Sequence, residues 1–248
     1  MSLAFLKTGD DVQKNIAKAD AAQEAKQAAN SGPYRHWMKE GDERRLTFLD
    51  GNIGENGLLQ TVQWWEHNLK LNGKWGNFFT CTQDIEPCPI CEGGDQPALL
   101  MGFSVIDHTP YTIKNGPNAG KILVNTRKFF ACKKETFKYL EKIATKRGGL
   151  AGCTFEVTRN GDKAANVGSH FDFEEKLTMD ELMAKYSLDT EGVTPFNYEE
   201  IIMFKSADEL RAAGFGQTAP LGSEDKPMMN AAPPGVELPS SEDMAQQL

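Results

Sequence analysis

Residues 67–91 read HNLKLNGKWGNFFTCTQDIEPCPIC and combine a hairpin signal with a metal-ligand pattern. Asn72-Gly73 lies between two strand-forming runs, which predicts a two-residue β-hairpin turn. Four candidate ligands fall within these 25 residues: His67, Cys81, Cys88 and Cys91. The x-x spacing of the last two lets both thiolates hold one tetrahedral ion. We therefore predict a zinc site that is structural and not catalytic, because four protein ligands leave no open position.

The hairpin register tests this prediction. With Asn72-Gly73 as the turn, an ideal ladder pairs His67 with Phe78 and points His67 and Cys81 to opposite faces. One extra residue in the returning strand corrects this, and Gly76 is well placed to be that bulge.

Two alternatives apply to the cysteines. Cys88-Pro-Ile-Cys91 could be a redox pair, which normally begins a helix that lowers the thiol pKa. The following Glu92-Gly-Gly-Asp95 is a poor helix start, and this favours the metal. The other alternative is that these cysteines are inert. Cys132 and Cys153 are expected to be buried, and three histidines are expected at the surface: His36, His108 and His170.

The rest of the chain predicts a mainly β fold. Short strand patterns run from about residue 44 to 173, with one helix over 134–146 that Gly148-Gly149 ends. This order favours an OB-fold-like barrel with an inserted zinc-binding subdomain at about 60–95 and a few short helices. Capping boxes at Thr178 and Ser206 begin two of those helices. We expect an N-terminal helical arm (1–33), a core (34–213) and a flexible, disordered acidic C-terminal tail (214–248).

Composition and charge narrow the functional class. The chain has 248 residues, of which 40% are hydrophobic and 25% charged, without an apolar run of membrane-spanning length. Its first residues lack the apolar core of a signal peptide, so a cytoplasmic protein is expected. The net charge of −8 is uneven: residues 111–163 carry +8 and residues 164–248 carry −11. A basic middle before an acidic end indicates a polyanion site and a tail that resembles a polyanion.

Residues 121–133 predict one long basic strand. Its alternation places cations and one ring, Phe129, on the same face, a combination that fits single-stranded nucleic acid. The alternative for Phe129 is an ordinary core position. The candidate nucleic-acid-binding residues are Tyr111, Lys114, Lys121, Asn125, Arg127, Phe129, Lys133, Lys134, Lys138 and Arg159.

The zinc segment resembles a known family. A similar segment occurs in the zinc-containing single-stranded-DNA-binding, helix-destabilising proteins of T-even bacteriophages. The residues that carry this resemblance are His67, the run Leu71-Asn-Gly-Lys-Trp75, Cys81 and Cys88-Pro-Ile-Cys91. Gly120-Lys121 at the start of the basic strand and the acidic tail are also similar.

The resemblance implies a non-enzymatic protein that coats single-stranded DNA in replication, recombination and repair, in the host cytoplasm. It also implies a His-Cys₃ zinc site in an OB-fold core and an acidic tail that recruits replication proteins. Members of this family associate with one another along DNA through a basic motif in the arm, whereas residues 1–14 here offer only Lys7 and Lys14.

Two other functions stay open. One is a zinc-ribbon module for protein–protein interaction, in which the basic strand is incidental. The other is a zinc or dithiol enzyme, which is disfavoured because the sequence offers no open metal position and no His/Glu pair beside a nucleophile.

Overall fold

The computed structural model of the protein describes residues 35–216, apart from 72–73 and 114–118. The predicted arm, the Asn72-Gly73 turn, Lys114 and the tail beyond residue 216 lie outside the described residues.

Nine strands and six helices are found in the described ranges. The strands are β1 (Glu43–Phe48), β2 (Val62–Leu71), β3 (Lys74–Thr80), β4 (Ala98–Asp107), β5 (Tyr111–Thr112), β6 (Ile122–Leu123), β7 (Thr126–Lys133), β8 (Cys153–Thr158) and β9 (His170–Lys176). The helices are α1 (Pro89–Glu92), α2 (Lys134–Arg147), α3 (Met179–Tyr186), α4 (Thr190–Val193), α5 (Tyr198–Ile201) and α6 (Ala207–Ala212). The mainly β class with few short helices is thus confirmed. None of the helices in these ranges is long and apolar enough to cross a membrane.

Seven strands form one antiparallel sheet around β4. Its order is β3-β2-β4-β1-β8-β9, and β7 pairs with the other edge of β4. β2 pairs with the first half of β4 and β1 with its last residues, so the hairpin β2–β3 extends from one end of the sheet. No pairing among the described residues joins β7 to β9, so the sheet is open and the predicted OB-fold-like barrel is not shown.

The main core lies on one face of this sheet, beneath α2. Alternation along β7 turns Phe130 and Cys132 inward, where they join Phe48 and Phe103. Four rings of this core meet edge to face or tilted: Phe48, Phe103, Phe130 and Phe155. The predicted helix is confirmed as α2, which ends at Gly148 in the left-handed region (φ 68°). Cys132 and Cys153 are buried in this core, as expected.

The opposite face of β2, β4 and β7 is here called the outer face. It contains Trp64, Leu100, Phe129 and Ala131, which alternate with the core residues. Residues 189–202, here called the strap, cover part of the outer face with apolar side chains: Phe196, Tyr198, Ile201 and Ile202. Both predicted capping boxes are present, at the starts of α3 and α6.

The predicted long strand over 121–133 is wrong, because Asn125 interrupts it. Asn125 is in the left-handed region (φ 58°), which ends β6 before β7 begins. Its side-chain oxygen lies 2.8 Å from His108 Nδ1, and its amide donates to the Tyr186 carbonyl (3.3 Å). The Asn125 side chain therefore satisfies interior groups.

Two of the three histidines expected at the surface are buried. His108 Nε2 lies 2.7 Å from Thr47 Oγ1, and its ring stacks on Tyr186. His36 stacks on Phe130, and burial lowers its pKa to about 3, so the ring is neutral. His170 is exposed, as expected.

Candidate metal centre and candidate nucleic-acid interface

A bulge in the β2–β3 hairpin places the first two ligands on one face. The register changes between two paired positions, Leu69–Asn77 and Leu71–Lys74. The extra residue lies on β3 at Gly76, which has φ 99° and whose N–H donates to Asn68 Oδ1 (3.0 Å). The bulge predicted at Gly76 is confirmed. His67 now pairs with Phe79, and Cys81 N–H donates to the Trp65 carbonyl, so His67 and Cys81 share a face.

The four predicted ligands meet at one point. Their donor atoms lie within 4.8 Å of one another. The Cys81 and Cys91 sulfurs are 3.6 Å apart, and His67 Nε2 lies 3.5 Å from Cys88 Sγ and 3.6 Å from Cys91 Sγ. Zinc–sulfur bonds of about 2.3 Å and zinc–nitrogen bonds of about 2.0 Å, at the tetrahedral angle, separate sulfurs by about 3.8 Å and sulfur from nitrogen by about 3.5 Å. The cluster therefore has the dimensions of a tetrahedral metal site.

Neighbouring groups prepare these donors for a cation. His67 is buried, and its Nδ1 lies 2.6 Å from Asp95 Oδ2, which leaves Nε2 for the metal. Burial alone raises the pKa of Cys88, but backbone groups of Cys91, Thr82 and Ile90 outweigh it and lower the pKa to about 6. Burial and the neighbouring thiols raise the pKa of Cys91 to about 12. All three cysteines could therefore be thiolates together only if a bound cation compensated their charge.

The redox alternative is weakened by the other two donors. α1 does begin directly after Cys88, although the sequence had indicated a poor helix start. However, Cys81 and His67 approach the same sulfurs, and a dithiol pair needs neither residue. A histidine and a third cysteine at tetrahedral distances favour metal ligation.

The C-terminal end of the described chain packs against this centre. Leu210 of α6 and Phe215 form one buried cluster with Cys81, Cys88 and Ile90. The Phe215 ring meets Phe79 at a centroid distance of 5.1 Å. Phe215, which the sequence analysis assigned to the tail, therefore belongs to the folded part.

A groove of about 730 Å³ lies on the other side of β2. It continues the outer face beyond the strap and is bordered by the β2–β3 hairpin and by residues 159–167. Three partly exposed rings line it: Trp37, Trp75 and Phe78, with 40%, 57% and 40% of their surface exposed. Glu66 and Asn68 of β2 also line it, alternating with His67 on the metal face.

Both signs of charge are present in the groove. The cations are Arg35, Lys133, Arg159 and Lys163, and the acids are Glu66, Asp95 and Glu135. Arg159 is fixed by donating to the carbonyls of Met38 (2.6 Å) and Asp162 (3.0 Å), and its guanidinium lies 5.9 Å from the Trp37 ring. Since Asp95 contacts His67 and Glu66 contacts Arg35, two of the acids already have partners.

Of the predicted nucleic-acid residues, the structure brings Lys133 and Arg159 into this groove. Phe129 is not the exposed ring that the strand pattern suggested. It is only 7% exposed, because Trp64 stacks on it at 5.5 Å and Tyr198 of the strap lies at 5.9 Å. The alternative of a buried position is correct for Phe129.

Arg127 is also occupied by the strap. Its Nη1 donates to the carbonyls of Glu191 and Thr194, both at 2.7 Å, and its guanidinium lies 4.3 Å from the Phe196 ring centroid. Three predicted residues, Phe129, Asn125 and Arg127, thus have side chains that are engaged by other parts of the protein.

The other predicted residues that the structure describes are outside the groove. Lys134 and Lys138 are exposed on α2, and Lys121 is exposed beside the small β5–β6 sheet. Tyr111 is half-buried in β5. None of these four lines the groove.

Most of the groove residues were not predicted as binding residues from the sequence: Arg35, Trp37, Trp75, Phe78 and Lys163. One signal was present in β3, where Trp75 and Phe78 flank the predicted bulge. The Arg35-His-Trp37 run gave no such signal, because three residues are too few to show a strand or helix periodicity that would assign their side chains to a face.

Comparison with known proteins adds nothing to this picture. No protein-family model matches the sequence, and no similarity to a curated protein is found. The geometry of the metal centre and of the groove therefore carries the functional assignment.

Proposed function

We propose that the protein is a zinc-stabilised, non-enzymatic protein that binds single-stranded DNA without sequence preference, coating it during phage replication, recombination and repair. One observation carries the proposal: the groove combines partly exposed rings with cations along one path. Rings stack on unpaired bases, and cations neutralise phosphates, which together suit a single strand.

The strand order supports this proposal through the fold. The elements that follow the order of the five-stranded OB-fold are β1, β4, β7, α2, β8 and β9. The hairpin β2–β3 and helix α1 are inserted between β1 and β4. Residues 35–38 lie in the gap between β7 and the segment before β9. There His36 N–H donates to the Phe129 carbonyl and Met38 N–H to the Asn166 carbonyl, both at 2.7 Å. OB-folds bind single strands of nucleic acid across the face of their second and third strands, which would correspond here to β4 and β7.

Zinc would serve the groove indirectly. The ligand set His67, Cys81, Cys88 and Cys91 fits zinc and leaves no open position for catalysis. Bound there, zinc supplies a cross-link between the hairpin and α1. The hairpin in turn positions Trp75 and Phe78 over the groove.

Tryptophan fluorescence titration with oligo-dT, at low and high salt, tests the proposal. Trp37 and Trp75 line the groove, so stacking should quench them. Affinity should fall with salt by about 0.7 log units per log unit for each phosphate contacted. Trp75→Ala should weaken binding by about tenfold, the loss of one stacked base.

Matched lysine variants locate the binding surface. Lys163→Ala should weaken binding and reduce the salt slope by about 0.7. Lys146→Ala removes an exposed lysine of α2 outside the groove and should do neither. Binding that is absent at low salt with zinc present sinks the proposal and favours a protein-interaction module.

The acidic C-terminal residues complete the proposal. Residues 217–248 contain five acidic groups and one basic group, which would compete with DNA for the cations and bind replication or recombination proteins. Truncation after Gly216 keeps Phe215 and should tighten oligo-dT binding at low salt. The same truncation should have little effect at high salt, whereas unchanged affinity at both would exclude competition by the tail.

A further inference from the structure

Glu66 is an acidic residue within a groove proposed for a polyanion. By charge alone, a carboxylate here repels phosphate and weakens binding. However, hydrogen bonds to two neighbouring side chains hold the Glu66 carboxylate in one position. The side chain is 11% exposed, Oε1 accepts from Arg35 Nη1 (2.9 Å), and Oε2 accepts from Trp64 Nε1 (3.2 Å).

Arg35, which pairs with Glu66, is restrained by three contacts. Its guanidinium lies 4.3 Å from the centroid of the Phe78 ring, while Glu66 fixes one edge of it. Its backbone forms a parallel bridge to Phe129 of β7. An unrestrained arginine of this exposure would sample many rotamers, and this one is limited to the position over Phe78.

We propose that Glu66 is a positioning residue for nucleic-acid binding, which holds Arg35 against Phe78 so that guanidinium and ring form one stacking platform for an unpaired base. The inference rests on the proposed function and deepens it. Arginine planes stack on bases as aromatic rings do.

Charge alone predicts that removing Glu66 tightens nucleic-acid binding, whereas the positioning role predicts that it weakens binding. Glu135 supplies the matched control. Glu135 lines the same groove but is exposed, and no hydrogen bond or ion pair of its carboxylate is found among the described residues. Removing Glu135 should therefore show the Coulomb effect alone. Removing Glu66 should show that effect opposed by the loss of the platform.

The experiment measures oligo-dT affinity of full-length, zinc-loaded variants at low and high salt. Glu66→Ala should bind about tenfold more weakly at both salt concentrations, the size of a lost stacking contact. Glu135→Ala should bind about twofold more tightly, and only at low salt. If Glu66→Ala binds as tightly as the wild type or more tightly, the positioning role is overturned.

Two further variants separate positioning from damage to the fold. Glu66→Gln keeps an oxygen for Arg35 and should bind within about twofold of the wild type. If this amide binds as weakly as the alanine variant, the role is also overturned. Arg35→Lys keeps the charge but not the plane and should be as weak as Glu66→Ala, and combining the two should cost no more than either alone.

The two proposals fail in different ways. A wild-type protein that does not bind oligo-dT removes the proposed function itself. A wild-type protein that binds, is weakened by Trp75→Ala and is unaffected or tightened by Glu66→Ala removes only the role of Glu66.

Discussion

A single carboxylate, Asp95, sets which nitrogen of His67 faces the three sulfurs, by contacting Nδ1 at 2.6 Å. Asp95→Ala should lower zinc affinity by about 10- to 100-fold, because the ring loses its fixed orientation and tautomer. Competition with a chromophoric chelator measures this. Asp84→Ala, which removes an exposed carboxylate from the segment between β3 and α1, is the control and should leave the affinity unchanged. Equal affinities of both variants would exclude the role of Asp95.

A second carboxylate, Asp50, makes stability depend on pH. It accepts hydrogen bonds from Tyr198 of the strap and from the Ser104 N–H, and burial raises its pKa from 3.8 to about 6. A raised carboxyl pKa means that stability is complete below pH 3.8 and is lost as the pH rises through about 6. The loss over this window is about 3 kcal/mol.

Asp50→Asn should remove this dependence. Relative to the wild type, its unfolding free energy should rise between pH 4.5 and 7, and urea denaturation at several pH values measures the difference. The four predicted metal ligands are present in both proteins, so their contribution cancels. A difference that stays constant with pH would place the carboxyl in its ordinary range.

At the scale of elements, the register of the β2–β3 hairpin depends on one residue, Gly76. Deleting Gly76 shortens β3 by one position and turns Cys81 to the face opposite His67. The deletion variant should therefore lose its bound zinc. Gly76→Ala keeps the register at a residue with φ 99° and should retain zinc while losing about 1 kcal/mol of stability. Zinc analysis and thermal unfolding distinguish the two, and full zinc content in the deletion variant would contradict the assigned register.

The same hairpin shows what sequence reasoning can reach. The ligands and the bulge were predictable because they depend on contacts within 25 residues, on one turn and on the alternation of a strand. Phe129 was not predictable from its own strand. The strap that buries it comes from more than 60 residues later in the chain, and alternation gives a face but not what covers that face. The groove has the same origin, since Arg35, Glu66 and Arg159 meet only after folding.

At the scale of the whole molecule, the basic middle of the chain is divided among several tasks. Lys128 is buried against Asp107 (3.0 Å), Arg127 holds the strap, and Lys133, Arg159 and Lys163 reach the groove. The summed charge of +8 therefore overstates the positive surface that a polyanion meets. Net charge led to the proposed class of partner, whereas the place of contact would depend on the individual partners of each cation.

β2 carries the predicted metal ligands on one face and groove residues on the other, so binding of the proposed zinc and nucleic acid would be thermodynamically linked. If zinc increases the affinity for oligo-dT by some factor, oligo-dT must increase the affinity for zinc by the same factor. Saturating oligo-dT should therefore shift the chelator competition curve by that ratio. The DNA-bound protein would then release zinc less readily than the free protein. When zinc is scarce, the molecules that are not bound to DNA would therefore lose their zinc first.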